Sequence, residues 1–353
     1  MQQTASLSPE TRHSLPKRRR IGRWLRRLVI GGLILFGVLL MAGAIYQIIG
    51  TARDRQVFPP PGQLVDVGGY RLHLDCTGEA TAGQPTVILE TLSGGISAYW
   101  GWVQPAVAQT TRVCSYDRAG RAWSDPSPHP LTLEQTVTDL HTLLTNAGVP
   151  GPYVLVGHSI GGIYVREFAT RYPDEVAGLV LVDAAHPQQF ERFPALVAES
   201  DSYLRLSALF PWLARVGIFR LYFASGGTLD LGTLPAEQQA VAKAVWSSPA
   251  YFVSQRAEIQ AAMQAGDGIY RASQQLGDLG DLPLAILSAG SHQPTGWAEL
   301  QAELAQLSTD ATHQTVAEAT HASLAFDPAH AAITSRTILD VVARTMKYDE
   351  ARR

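Results

Sequence analysis

The stretch YVLVGHSIGGIYV, residues 153–165, sets a serine at the junction of two different patterns. A β-branched apolar run precedes it, and helical spacing follows it as far as Pro173. Gly157, Ser159 and Gly161 alternate across the junction. A tight strand-to-helix turn needs small neighbours, because the two backbones approach closely there. Such a turn lifts the serine hydroxyl above the sheet edge, over a helix N-terminus with free backbone N–H groups. The pattern is G-x-S-x-G in the strand–turn–helix context that an exposed nucleophile requires. A plain loop needs the same small residues, so the decision rests on whether the rest of the chain supplies partners for Ser159.

The flanking chain alternates strands and helices. LVDVGGYRLHLDC reads as a hairpin turning at Gly68 and Gly69. Runs at 86–90, 112–117, 153–157, 178–183, 284–290 and 313–319 read as six further strands. Most are continuously apolar, as expected of a parallel sheet with helices on both faces. Residues 132–148 read as a helix capped by Thr132 and closed by Gly148, and residues 328–348 as a closing helix. Between Pro187 and Asp281 only helical patterns occur, with Leu206, Leu209, Phe210 and Leu213 at helical spacing. This insertion, residues 187–281, reads either as a lid over the strand ends or as a packed helical layer.

The N-terminus has a different character. Arg12, Lys17, Arg18, Arg19, Arg20, Arg23, Arg26 and Arg27 are opposed only by Glu10. Leu28–Gly50 follows without a charged residue, long enough to cross a hydrocarbon core of about 30 Å. The expected order is a disordered basic cytoplasmic tail (1–27), a transmembrane helix (28–50) and a Pro-rich linker (51–62) that lifts the domain off the membrane. The core then covers 63–186 and 282–347. The positive flank keeps the N-terminus cytoplasmic and puts the domain outside the cell membrane. Ala42–Ala44 also fits a signal-cleavage site, although the apolar run continues past it. The formal net charge of -3 excludes a broad basic field for nucleic acid. The two cysteines, Cys76 and Cys114, have no zinc or thioredoxin-like spacing, and an external domain allows a disulfide.

A serine hydroxyl needs a base. His321, in AEATHASLAFDP, follows the last expected strand and precedes the last helix, at the sheet edge that carries Ser159. His158 adjoins the serine and reads as support for the turn; His186 and His292 also stand at strand ends and are weaker candidates. An oxyanion needs two donors. Ile160 N–H follows the serine, and Leu92 N–H, in the TLSGG loop after the 86–90 strand, is the second candidate.

The segments VILETLSGG, VCSYDRAGRAWSD, LVGHSIGGIYVREFA, LVLVDAAHP and THASL follow one another as the motifs of the α/β-hydrolase superfamily do. The resemblance covers about Gln63 to Lys347. It implies an α/β-hydrolase fold: an eight-stranded, mostly parallel sheet, a helical cap after the sixth strand, and catalysis without cofactor or metal. It gives the YDRAGRAWSD loop a structural role. The family's strand order makes the strands of Cys76 and Cys114 neighbours, which implies a disulfide candidate with Cα atoms about 5.5–6 Å apart. Two separate buried thiols are the other reading.

The chain departs from the family at the triad acid. The usual place, after the seventh strand, reads SAGSHQPTG and holds no carboxylate. Asp183, ending the strand GLVLV, is the candidate, with Glu299 next and no acid third. The expectation is a membrane-anchored serine esterase acting on a small-molecule carboxylic ester, with Ser159, Asp183 and His321 as triad. Aminopeptidase or haloperoxidase-like activity and a non-catalytic binding module are the alternatives. Dehalogenases and epoxide hydrolases of the family carry aspartate where Ser159 stands. No oligomeric state follows from the sequence.

Overall fold

A computed structural model describes residues 17–352, except 82, 230 and 265–267, with side chains described from 23 to 346. Most of the basic tail, residues 1–16, lies outside the described residues. The strands are β1 (Gln63–Asp66), β2 (Arg71–Thr77), β3 (Thr86–Glu90), β4 (Val113–Tyr116), β5 (Tyr153–His158), β6 (Val176–Val182), β7 (Leu284–Ala289) and β8 (Ala311–Val316). They form one eight-stranded sheet in the order β1-β2-β4-β3-β5-β6-β7-β8. The pairs β1–β2 and β2–β4 are antiparallel, and all the others are parallel. The order in which strands are added reverses at β3: β4 is laid on one side of it and β5 on the other. The loops leaving β3 and β5 diverge and open a crevice at their carboxyl ends.

Alternating side chains feed two cores. Ile88, Leu155, Leu181 and Ile286 pack on one face with Leu140 and Ile163 of the helices Leu133–Asn146 and Gly161–Arg171. Val87, Val156, Val182 and Leu287 pack on the other with Ile338 and Val341 of the helix Pro328–Arg352. The Leu133–Asn146 helix starts where Thr132 Oγ1 accepts from Gln135 N–H at 3.0 Å. It ends at Gly148, whose φ of 65° lets Val149 N–H turn back to Leu144 O.

Among the described residues no strand lies between β6 and β7; short helices fill Gln189–Ser273. The helix Pro249–Met263 crosses the loops after β3 and β4: Glu258 accepts from Gly94 N–H at 2.8 Å, and Ser254 touches Gly120. The insertion therefore covers the carboxyl ends of the strands. The expected apolar stripe does not form a single face. Phe210 stacks its ring edge-on against Phe219 and Phe252, each 5.4 Å away, whereas Leu206 and Leu209 are exposed. The reason is a break: the helix Pro194–Leu206 ends in a tight 3₁₀ turn, and a new helix starts at Phe210–Pro211.

One N-terminal helix, Lys17–Val57, is long and apolar enough to cross a membrane; within Arg23–Val57 its most apolar 18-residue window has a mean hydropathy of 2.6. It is longer at both ends than the expected 28–50 span. Residues 17–27 and 51–57 continue the helix because neither segment holds a proline, and the helix stops just before Pro59. The Pro-rich segment is not a free spacer. Trp123 Nε1 donates to Phe58 O at 2.9 Å, and the buried His73 ring bonds Pro61 O at 2.5 Å.

Cys76 and Cys114 face each other directly across β2 and β4 and are joined, S–S 2.04 Å. Their Cα atoms are 4.0 Å apart, closer than the expected 5.5–6 Å. Direct opposition in an antiparallel pair explains this, since its narrow sites hold Cα atoms about 4.5 Å apart. The loop so closed has a sequence separation of 38. Replacing both cysteines by serine is expected to cost about 3–4 kcal/mol in non-reducing urea denaturation. Two free thiols in the unreduced, denatured protein would refute the bridge.

Candidate active site

The turn after β5 is tied down on both sides. Ser159 has φ 57°, a left-handed conformation that is rare for a residue with a side chain. Its N–H donates to Val182 O at 3.1 Å, and its carbonyl accepts from Gly162 N–H at 3.0 Å and Ala185 N–H at 2.8 Å. The two glycines are steric necessities. A Cβ at Gly157 would fall 2.6 Å from the Gly161 backbone, and one at Gly161 would fall 2.8 Å from Glu90 O. β5, the next helix and the end of β3 thus meet with no space between them. Ile160 follows the serine at the head of the helix Gly161–Arg171. Neither Ile160 N–H nor Leu92 N–H has a protein acceptor among the described residues.

Asp183 directly follows β6 and also has a left-handed backbone, φ 40°. Its carboxylate is fully buried. One oxygen accepts from Ala289 N–H at 3.2 Å and Trp297 Nε1 at 3.0 Å. The other accepts from Gln293 Nε2 at 2.9 Å and from His321 Nδ1 at 2.6 Å. Burial pushes the Asp183 carboxyl up, but the hydrogen bond and charge of His321, with Trp297 and Ala289, outweigh it and hold the group below its ordinary value. The His321 side chain is 41% exposed, so its far edge is open to a substrate. Among the described residues no hydrogen bond joins His321 to Ser159 Oγ. Such contacts in ligand-free sites often tighten only when substrate binds.

Glu299 lies on the exposed side of the helix Trp297–Ala305, and the carboxylate on His321 belongs to Asp183. His186 and His292 are elsewhere: His186 Nδ1 accepts from Gln188 N–H, and His292 bonds Ser291. The acid-free loop SAGSHQPTG still serves the site, because it supplies Gln293 as a donor to Asp183. His158 supports more than its own turn. Its Nε2 lies 2.9 Å from His321 O, and since a carbonyl only accepts, that nitrogen carries the proton.

A second buried cluster stands behind the Leu92 loop. Arg118 bonds Glu90, Glu258, Thr91 O and Leu92 O, and Arg121 pairs with Glu258 at 3.0 Å. Glu258 also accepts from Ser93 Oγ and Gly94 N–H. Burial pushes the Glu258 carboxyl up, but Arg118 and Arg121 overcome this and lower it. Glu258 comes from the cap, in a helical stretch whose sequence carries no motif, so only tertiary structure reveals it. Among the described residues no group of three His, Cys, Asp or Glu side chains is placed to hold a metal ion.

Residues 85–328 match the family described as alpha/beta hydrolase fold. The chain belongs to that family. An uncharacterized protein of Schizosaccharomyces pombe is 28% identical over 294 residues, covering 74% of this chain and 52% of the relative. An uncharacterized vacuolar membrane protein of Saccharomyces cerevisiae is 28% identical over 134 residues, 34% of this chain and 21% of the relative. The chain thus spans about half the length of the first and a fifth of the second. Among solved structures, the enol-lactonase from Burkholderia xenovorans superposes with a TM-score of 0.57 at 20% identity, over 80% of this chain and all of that one. That likeness shows the fold alone. Membership of the α/β-hydrolase family supports a hydrolase.

Burial, and then the neighbouring His321, push His158 down to about 3. An unfolded chain protonates this histidine near pH 6.5, while the folded protein does not. Its contribution to stability is therefore complete above pH 6.5 and is lost as the pH falls from there toward 3. His158→Gln keeps a donor for His321 O. In urea titrations the variant is expected to lose about 2 kcal/mol less than wild type between pH 7 and pH 5. Equal losses in both would show that His158 titrates normally in the folded protein.

Proposed function

We propose that this protein is a serine hydrolase that cleaves carboxylic esters through an acyl-enzyme on Ser159. The observation that carries the reading is the buried Asp183 carboxylate, 2.6 Å from His321 Nδ1, on the same sheet edge as Ser159 in its strained turn. With Nδ1–H donated to Asp183, His321 Nε2 is left as a free base. It takes the Ser159 proton as Oγ attacks the acyl carbonyl carbon. The oxyanion is received by Leu92 N–H and Ile160 N–H, the two donors without a protein acceptor. As the tetrahedral species collapses, His321 returns the proton to the leaving alcohol. Water, deprotonated by the same nitrogen, then releases the acid. Asp183 keeps the ring in this tautomer and stabilises its protonated form.

The apolar N-terminal helix is an uncleaved anchor in this reading, with its basic end in the cytoplasm and the catalytic domain outside the cell membrane. The Cys76–Cys114 pairing fits an oxidising compartment. The yeast relative described as a vacuolar membrane protein agrees with membrane association.

Ser159→Ala is expected to abolish labelling by a fluorophosphonate probe and lower ester turnover by at least about 10³-fold with the fold kept. Asp183→Asn is expected to lower kcat by about 10⁴-fold, the loss measured in the best-studied serine triad, with KM little changed. Turnover of either folded variant within a factor of about ten of wild type would remove that residue from the mechanism.

A further inference from the structure

The cap carries an apolar face that the rest of the protein leaves open. Leu206, Leu209, Trp212 and Leu221 are 69%, 65%, 66% and 59% exposed, with Leu213 and Ile218 partly exposed beside them. A surface in water seldom gathers so many large apolar side chains. They lie on two helical segments, Pro194–Arg215 and Ile218–Ala224, that meet at 79°.

The bend between these segments is docked on the N-terminal helix. Gly43 packs against the Val216 carbonyl with no room for a Cβ, and a Cβ at Gly217 would fall 3.0 Å from the Tyr46 ring. Gln47 is buried; it donates to Ser247 O at 2.9 Å and accepts from Arg220 Nε at 3.1 Å. Arg220 pairs with Asp54 at 2.7 Å, two turns beyond Gln47.

The register of this contact sets a depth. Gly43 stands seven residues before Gly50, the end of the expected 28–50 span, or about 10 Å along a helix. Whatever is fixed to Gly43 sits that far below the end of the span. At this contact Gln47, Arg220 and Asp54 satisfy one another, as a site with little water requires. The Arg215 guanidinium lies 4.7 Å from the centre of the Trp212 ring, so an aromatic face covers part of its charge while its long side chain can reach toward the headgroups.

We propose that the stretch of the cap from Leu206 to Arg215, with the helix Ile218–Ala224, is seated in the lipid bilayer beside the anchor, with Leu206, Leu209, Trp212, Leu213, Ile218 and Leu221 among the acyl chains. This rests on the reading of the N-terminal helix as a membrane anchor. Seating of this kind matches an interfacial apolar face, which enters a bilayer by about 5–10 Å. It brings the cap, and the crevice beneath it, within reach of acyl esters held in the membrane.

The test uses the full chain in phosphatidylcholine proteoliposomes, with an NBD fluorophore on one introduced cysteine per variant. The variants are Leu209→Cys, Leu221→Cys, Leu35→Cys in the anchor, and Thr309→Cys just before β8 at the far edge of the sheet. Wild-type protein carried through the same labelling gives the background from Cys76 and Cys114. Doxyl-labelled lipid is expected to quench most emission at 209 and 221, as at 35, and to leave 309 unchanged. Quenching at 35 but not at 209 and 221 would overturn the inference and leave the anchor standing. Quenching at 209 and 221 but not at 35 would remove the anchor and keep the cap as a lipid-binding face. Absence of quenching at all three, or equal quenching at 309, would overturn it.

Discussion

A buried carboxylate with every bond satisfied holds this site together. Asp183 carries charge in a place with no solvent, which is tolerable only because four donors converge on it. Those donors come from the end of β7, the loop after it, the next helix, and the loop after β8. One side chain thereby fixes four segments that the chain alone would leave independent. The same bonds offset the strained backbone at Asp183. The strain at Ser159 is offset by bonds to Val182 and Ala185, one position before and two after Asp183. The turn of the serine and the turn of the acid are therefore one hydrogen-bonded unit across β5 and β6.

The second buried cluster does for the Leu92 loop what Asp183 does for the histidine. Arg118 draws the Thr91 and Leu92 carbonyls toward itself, which keeps two partial negative charges from facing the site. Glu258 reaches down from the cap to neutralise Arg118 and Arg121 and to hold Ser93 and Gly94. Removing one member would leave an uncompensated buried charge, a loss of about 3–5 kcal/mol. The cap and the Leu92 loop cannot shift independently without breaking these pairs. The position of the cap is thus written into the site it covers.

The strands, the serine turn and His321 were legible because each has a local signal: a β-branched run, a G-x-S-x-G spacing, a histidine between the last strand and the last helix. Asp183 was legible by elimination and position, since a residue ending β6 must emerge beside β5. Gln293, Trp297 and Glu258 were not, because a side chain that meets its hydrogen-bond partner across more than a hundred residues leaves no periodicity in its own segment. Helical spacing misled at Leu206–Leu213, where a break in the helix splits one apparent stripe into a packed Phe210 and exposed leucines. It was also silent on the ends of the N-terminal helix, because charged residues continue a helix as readily as apolar ones do.

The Pro-rich segment shows how tertiary contacts change what a motif does. Three consecutive prolines in isolation form a stiff spacer that holds a domain away from its anchor. Here Phe58 O and Pro61 O are each bonded by the core, and the helix before them is clamped by the cap at Gly43, Gln47 and Gly50. A helix held at two places on one rigid body does not pivot against it. The glycines in the contact are what allow this, since a side chain at Gly43 would force Val216 away and release the clamp. The orientation of the catalytic domain relative to its N-terminal helix is therefore a property of the packing at this contact rather than of the length of the linker.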